Sequence, residues 1–294
     1  MASTTVVTGA GRRLGLSAYG DPSADRLVLL CHPTPGAGLD PEPVVTDRWG
    51  VHLVALQRPG YGSSDPAPGD ETWTVAAHAA DVAEYVRRSE RVADRISQAH
   101  LERYGVIGWG TGGFIAAAIA AHDPKVDRLA LVDVPRPSKL ERILHRAEKA
   151  PRGLEVLGVD AGDPDLARHV GLLGRLERML EDAFEQGREG VRSDARLFSD
   201  ESWTALLGSI RADTHLWVGD RDPDVAGLDA RWWADRIPNA HASRVRDSGP
   251  LVLAAAWSKV LGHVAPNHGS IAEELRDSGE VYIAAVDSVD PEHG

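Results

Sequence analysis

Short apolar runs alternate with longer stretches in which apolar residues return every three or four positions, and this alternation fills most of the chain. The short runs have strand length; the longer ones have helical period. Residues 26–32 are apolar at every interior position, as a strand buried on both faces must be. Residues 51–56 repeat that pattern, and two shorter strands are predicted at 5–8 and 14–19. A helix begins near Thr74, with Ala76, Ala79, Ala80, Val82 and Ala83 on one side. The run Tyr104-Gly105-Val106-Ile107 enters a glycine cluster, Gly108-Trp109-Gly110-Thr111-Gly112-Gly113, and an unbroken apolar stretch, 114–121, leaves it. That is a strand, a sharp turn and a buried helix. Residues 128–133 read as the sixth core strand, with 213–218 and 242–245 as later ones. Strands separated by helices predict an α/β fold with a mostly parallel central sheet flanked by helices.

The rhythm breaks between 136 and 207, where charged, helix-forming stretches such as 140–148 and 176–184 dominate without a strand pattern. This stretch is expected to form a helical lid inserted into a core made of residues 1–135 and 208–264. From 265 to 294 the chain is a polar, acidic tail, within which 281–286 has the composition of an edge strand or anchor.

A formal net charge of −12 favours solubility and argues against a nucleic-acid partner, which needs a basic face. No apolar run reaches the roughly 20 residues of a membrane-spanning helix. The first residues lack the basic and apolar regions of a signal peptide. A cytoplasmic protein without a membrane partner is therefore expected. Cys31 is the single cysteine, which rules out an intrachain disulfide or a cysteine metal cluster. The histidines show no spacing of the H-E-x-x-H kind, so neither a metal nor a cofactor is expected.

Four motifs occur in one order along the chain. They are His32-Pro33-Thr34-Pro35-Gly36, Arg58-Pro59-Gly60-Tyr61-Gly62-Ser63-Ser64-Asp65, the glycine cluster at 108–113, and Leu216-Trp217-Val218-Gly219-Asp220-Arg221-Asp222-Pro223. Together they resemble the α/β-hydrolase superfamily: the H-G-x-P-G loop, the R-P-G-Y-G-x-S-D loop, the G-x-S-x-G nucleophile elbow and the strand that carries the catalytic acid. The resemblance covers about residues 5–135 and 190–264, and the lid matches only in being helical.

That family works with a nucleophile, an acid and a histidine, in that order. Here Gly110 stands at the nucleophile position, Asp222 at the acid position and Pro250 where the histidine belongs, within Asp247-Ser248-Gly249-Pro250-Leu251. Two of the three groups are missing, which implies a degenerate triad without covalent serine chemistry. The resemblance further implies an oxyanion hole made by the main-chain N–H groups of Thr111 and Thr34, since Pro33 has no N–H to give.

Each remaining candidate has two readings. Asp222 is a general base or a relic that holds its loop through backbone N–H groups. His32 is an acid–base group or a support for the oxyanion loop. Asp133 is an alternative acid at the carboxyl edge of the sheet, where ligands bind in open α/β folds, or a structural cap. Arg136 pairs with an anionic ligand or with Asp133. Trp109 lines the pocket, packs the elbow, or does both. The expected partner is a small apolar or aromatic ligand held between lid and sheet, with a homodimer left open. The expected function is a non-hydrolytic enzyme, such as a cyclase, isomerase, lyase or rearrangement catalyst of secondary metabolism. A silent ligand-binding protein and a hydrolase with a relocated triad stay open as alternatives.

Overall fold

A computed structural model describes residues 4–9, 11–67, 69, 73–95, 102–266 and 268. The tail segment 281–286 lies outside them. Eight strands form one sheet: β1 (Thr4–Val7), β2 (Arg13–Gly20), β3 (Leu27–Cys31), β4 (His52–Leu56), β5 (Tyr104–Trp109), β6 (Val126–Val132), β7 (Asp213–Gly219) and β8 (Ala240–Val245). Their spatial order is β1-β2-β4-β3-β5-β6-β7-β8. The β1–β2 and β2–β4 pairs are antiparallel, and every other pair is parallel. The mostly parallel sheet expected from the alternation is thus observed.

The helices are α1 (Pro43–Trp49), α2 (Val75–Arg95), α3 (Gly112–His122), α4 (Leu140–Lys149), α5 (Pro164–Arg168), α6 (Leu172–Ala183), α7 (Glu189–Leu197), α8 (Gly227–Ala234), α9 (Val252–Ala255) and α10 (Trp257–Val264). One face of the sheet packs on α2, α3 and α8 around Phe114, Ile115, Ile119 and Trp233. The other packs on α1 and α10 around Trp49, Trp257 and Leu261. Because α3 is apolar all round, it is buried from Gly112 to Ala120, as a helix without a polar face requires. Phe114 and Trp233 stack at 5.8 Å, and the Trp233 indole donates to Pro135 O at 3.1 Å.

Boundaries differ from the sequence pattern where polarity misleads. β6 begins at Val126 although Asp127 and Arg128 interrupt its apolar run. β8 begins at Ala240 because an edge strand tolerates exposed positions such as His241 and Arg244. The sixth strand stops at Val132, and Asp133 turns into the left-handed region at φ 54°. Helices α4 to α7 come between β6 and β7. Phe198 and Trp203, which follow α7, both contact the Phe114 ring of α3.

Candidate active site

The carboxyl ends of β3, β5, β6, β7 and β8 open into loops that surround a cavity beneath α4. The β3 loop contributes Pro33 and Thr34; the elbow contributes Trp109, Gly110 and Thr111. Asp133 and Pro135 follow β6, Asp222, Asp224 and Val225 follow β7, and Pro250 follows β8. Ile143 and Arg146 of α4, with Leu157, close the top. The cavity measures about 50 Å³ at the centres of water-sized spheres, room for a few waters.

The elbow keeps the strand–turn–helix geometry of a nucleophile turn. Gly110 sits at φ 54°; its N–H bonds to Val132 O at 2.9 Å, and its own carbonyl accepts from Gly113 N at 3.0 Å. A Cβ on Gly112 would stand 2.1 Å from Cys31 O, so the strand and helix approach this closely only through a bare α-carbon. A Cβ on Gly110 would meet Pro33 Cβ at 3.2 Å. The proline ring therefore crowds the place where a serine would begin. Opposite, the Trp109 indole donates to Pro250 O at 3.2 Å, which puts the loop after β8 beside the elbow.

Asp222 accepts from the N–H groups of Asp224 at 2.5 Å and Val225 at 2.7 Å, both through Oδ1. Its carboxylate also hydrogen-bonds Asp133. Asp133 is 4 % exposed; its N–H bonds to Trp217 O at 2.8 Å and its Oδ1 accepts from Gly219 N at 3.3 Å. Burial, then the negative charge of Asp222 and the hydrogen bond to it, hold the Asp133 carboxyl well above the usual carboxylate range. Asp224, the next acid along, is tied to α4 by Arg146 and by Arg142 at 2.5 Å.

His32 lies outside the cavity lining. Its Nε2 accepts from Arg58 N–H at 3.1 Å, so the ring proton sits on Nδ1 and bonds to Pro33 O at 2.9 Å. Burial, then the Arg58 guanidinium, push it well below the usual histidine range. Both nitrogens serve the β3 loop, and this geometry favours the supporting role.

Beneath that loop lies an ion pair. Arg58 Nε and Nη2 bond to Asp194 of α7, each at 2.7 Å. Tyr61 donates to the same carboxylate at 2.7 Å and Thr34 Oγ1 at 2.5 Å. Because the Thr34 proton goes to Asp194, Thr111 is the donor in the 2.7 Å contact between the two hydroxyls. Thr111 is thus anchored beside the elbow, and among the described residues that line the cavity there is no histidine.

Arg136 turns away from the cavity and from Asp133. Its N–H bonds to Asp229 Oδ1 at 3.2 Å, and its Nε lies 3.6 Å from the same atom. His263 packs under the sheet near Leu129 O and Asp213 O, and His268 meets Asp25 at 2.7 Å, both away from this site. The sequence pattern left three participants unnamed: Asp224, Arg146 and Asp194. The run of alternating aspartates at 220, 222 and 224 was a signal for the first. The other two sit in α4 and α7, where charged residues are the rule and none stands out.

Comparison with known proteins agrees with this architecture. A sequence model of the alpha/beta hydrolase family matches residues 28–281. Among curated proteins none matches the sequence. Solved structures give many matches. One is an enol-lactonase from Burkholderia xenovorans LB400, 17 % identical, with 88 % of this chain and 98 % of that one covered at a TM-score of 0.66. A thermophilic esterase from Thermogutta terrifontis is 20 % identical, with 94 % and 99 % covered at 0.64. A bromoperoxidase from Bacillus anthracis is 15 % identical, with 93 % and 98 % covered at 0.64. At such identities the structures speak for the fold alone. Sheet order, elbow, acid loop and the family-wide sequence match lead to one conclusion: the chain belongs to the alpha/beta hydrolase family.

Proposed function

We propose that the protein is a non-hydrolytic enzyme that binds a small apolar or aromatic molecule between the lid and the sheet edge. Cyclisation, isomerisation, elimination and rearrangement in a biosynthetic setting all suit it. The observation that carries this reading is the elbow itself: its apex is Gly110, and Pro33 leaves 3.2 Å for any Cβ there. With Pro250 at the histidine position, the covalent route lacks both its attacking atom and its base. What remains is Asp222 at the wall, and the N–H groups of Thr34 and Thr111 as donors to a developing negative charge. His32 supports the β3 loop from behind.

Pockets for drug-sized ligands measure roughly 300–1,000 Å³, so this smaller cavity suits a small molecule. Among the described residues no helix is long and apolar enough to cross a membrane.

Two assays test the proposal. Wild-type protein should leave p-nitrophenyl esters intact, and it should convert a biosynthetic intermediate with stereochemical control when a panel is screened. Ester turnover abolished by Asp222→Ala would support a relocated triad instead. Saturable binding with every ligand recovered unchanged would make the protein a binder. Restoring the triad as Gly110→Ser with Pro250→His should yield no esterase and should cost about 1–3 kcal/mol in strain at the apex. Adding Pro33→Gly to that pair should recover part of the stability.

A further inference from the structure

We propose that Asp133 and Asp222 share one proton at the cavity wall and act as paired acid and base on a neutral carbonyl compound carrying an acidic C–H beside its carbonyl. This rests on the non-hydrolytic reading above and names its chemistry.

The geometry assigns the two roles. Both side chains line the cavity and are hydrogen-bonded to each other. Asp222 has two backbone N–H groups on Oδ1, from Asp224 at 2.5 Å and Val225 at 2.7 Å, and its Oδ2 accepts from no backbone group in this loop. Asp133 has one long N–H contact, from Gly219 at 3.3 Å, and sits far deeper. No cation pairs with Asp133 among the described residues; the cations of this wall, Arg142 and Arg146, are bound to Asp224. Two carboxyl groups in such contact keep one proton between them, because both cannot ionise. The pair presents one negative charge to the cavity, which disfavours a substrate that is itself an anion. The rest of the lining is largely apolar, including Pro33, Trp109, Ile143, Leu157, Val225 and Pro250.

The reaction balances without a co-reactant. Asp222 takes the proton from the carbon beside the carbonyl, and the C–H electron pair becomes a C=C bond. The carbonyl π pair moves to oxygen, which takes the proton held by Asp133. The enol forms with Asp222 protonated and Asp133 ionised. On collapse, Asp133 recovers the hydroxyl proton and the C=O bond re-forms. The C=C pair then takes the Asp222 proton, at the same carbon or at the far end of a conjugated double bond. The first outcome is exchange and the second is isomerisation; both restore the starting charges.

Full-length wild type, Asp133→Asn and Asp222→Asn test this. Asparagine keeps the shape of Asp133 and accepts the left-handed backbone there. In infrared spectra at pH 7 the wild type should carry a carboxylic-acid C=O stretch that Asp133→Asn removes. Deuterium exchange into butanone and phenylacetone, followed by proton NMR in deuterium oxide, should exceed the buffer rate. Each variant should lose about 100-fold or more, the usual worth of a general acid or base. Absence of the acid band, exchange no faster than buffer, or variants as fast as wild type would each overturn the proposal. Ester turnover measured on the same samples keeps the two readings apart. A wild type that hydrolyses esters sinks the non-hydrolytic reading, whereas proton sharing is judged by the band and the exchange alone.

Discussion

Asp194 and Asp133 are both buried, 0 % and 4 % exposed, yet their surroundings are opposite. Asp194 faces a guanidinium, a phenol and a hydroxyl, four donor contacts in all. Asp133 faces another carboxylate and one distant amide. The first arrangement fastens α7 to the loop that carries Thr34. The second holds the Asp133 carboxyl well above the usual carboxylate range at the edge of a cavity. Burial is the same in both; the placement of the nearest cation decides whether a carboxyl becomes a latch or an acid.

The largest effect that can break this contrast is Asp194→Ala. It strands Arg58 in the interior, and removal of one partner from a buried pair costs about 3–5 kcal/mol. Thermal unfolding should shift down by roughly 10 °C, at about 2–4 °C per kcal/mol for a chain of this size class. A shift below about 2 °C would mean that Arg58 finds another partner, and the contrast between the two sites would fail.

Asp133→Asn should act in the other direction. Because the folded carboxyl keeps its proton well above the unfolded value, the native state binds more protons than the unfolded one between the two. Stability from this group is therefore full below the unfolded value, near pH 4, and is lost as pH rises through the folded one. The variant should be more stable than wild type at pH 8, with the gap closing below about pH 4. Denaturant titration at the two pH values checks this; a variant less stable at pH 8 would contradict the proton assignment. His78 supplies a limb of opposite sign in both proteins. Burial, then Arg58 and Arg12, push it down to about 3. Its contribution is present above the usual histidine value near 6.5 and fades as pH falls toward that lower value. In Asp222→Asn the acid band of Asp133 should titrate at lower pH than in wild type, since the neighbouring charge is gone.

Arg136→Ala marks the small end. Asp229 is fully buried like Asp194, but it also holds Lys139 at 2.7 Å and the Ala226 N–H at 2.9 Å. Arg136 is 40 % exposed at its side chain, so its loss should cost under about 1 kcal/mol and leave ligand binding unchanged. A larger loss, measured by chemical denaturation, would show that Asp229 depends on a distant cation more than its near partners suggest.

The sequence carried the sheet well, because strands such as β3 and β5 are continuous apolar runs bounded by turns. The glycine at the elbow apex and the proline in the last loop were equally legible, since each is defined by what its side chain lacks. Three things were not. The upward shift of Asp133 depends on a strand end that bends through positive φ and on a neighbour 89 positions away, neither of which a linear pattern encodes. The turn of Arg136 toward Asp229 depends on where α8 docks. The pairing of Arg58 with Asp194 joins the loop after β4 to α7 across 136 positions, and no local periodicity selects one charged residue of 136–207 over the next.

Pro33 carries a consequence of its own. Its ring stands 3.2 Å from where a Cβ at position 110 would be, so any side chain there obliges the β3 loop to give by a few tenths of an ångström. The seat of that one ring against the apex therefore sets how large a residue the turn accepts.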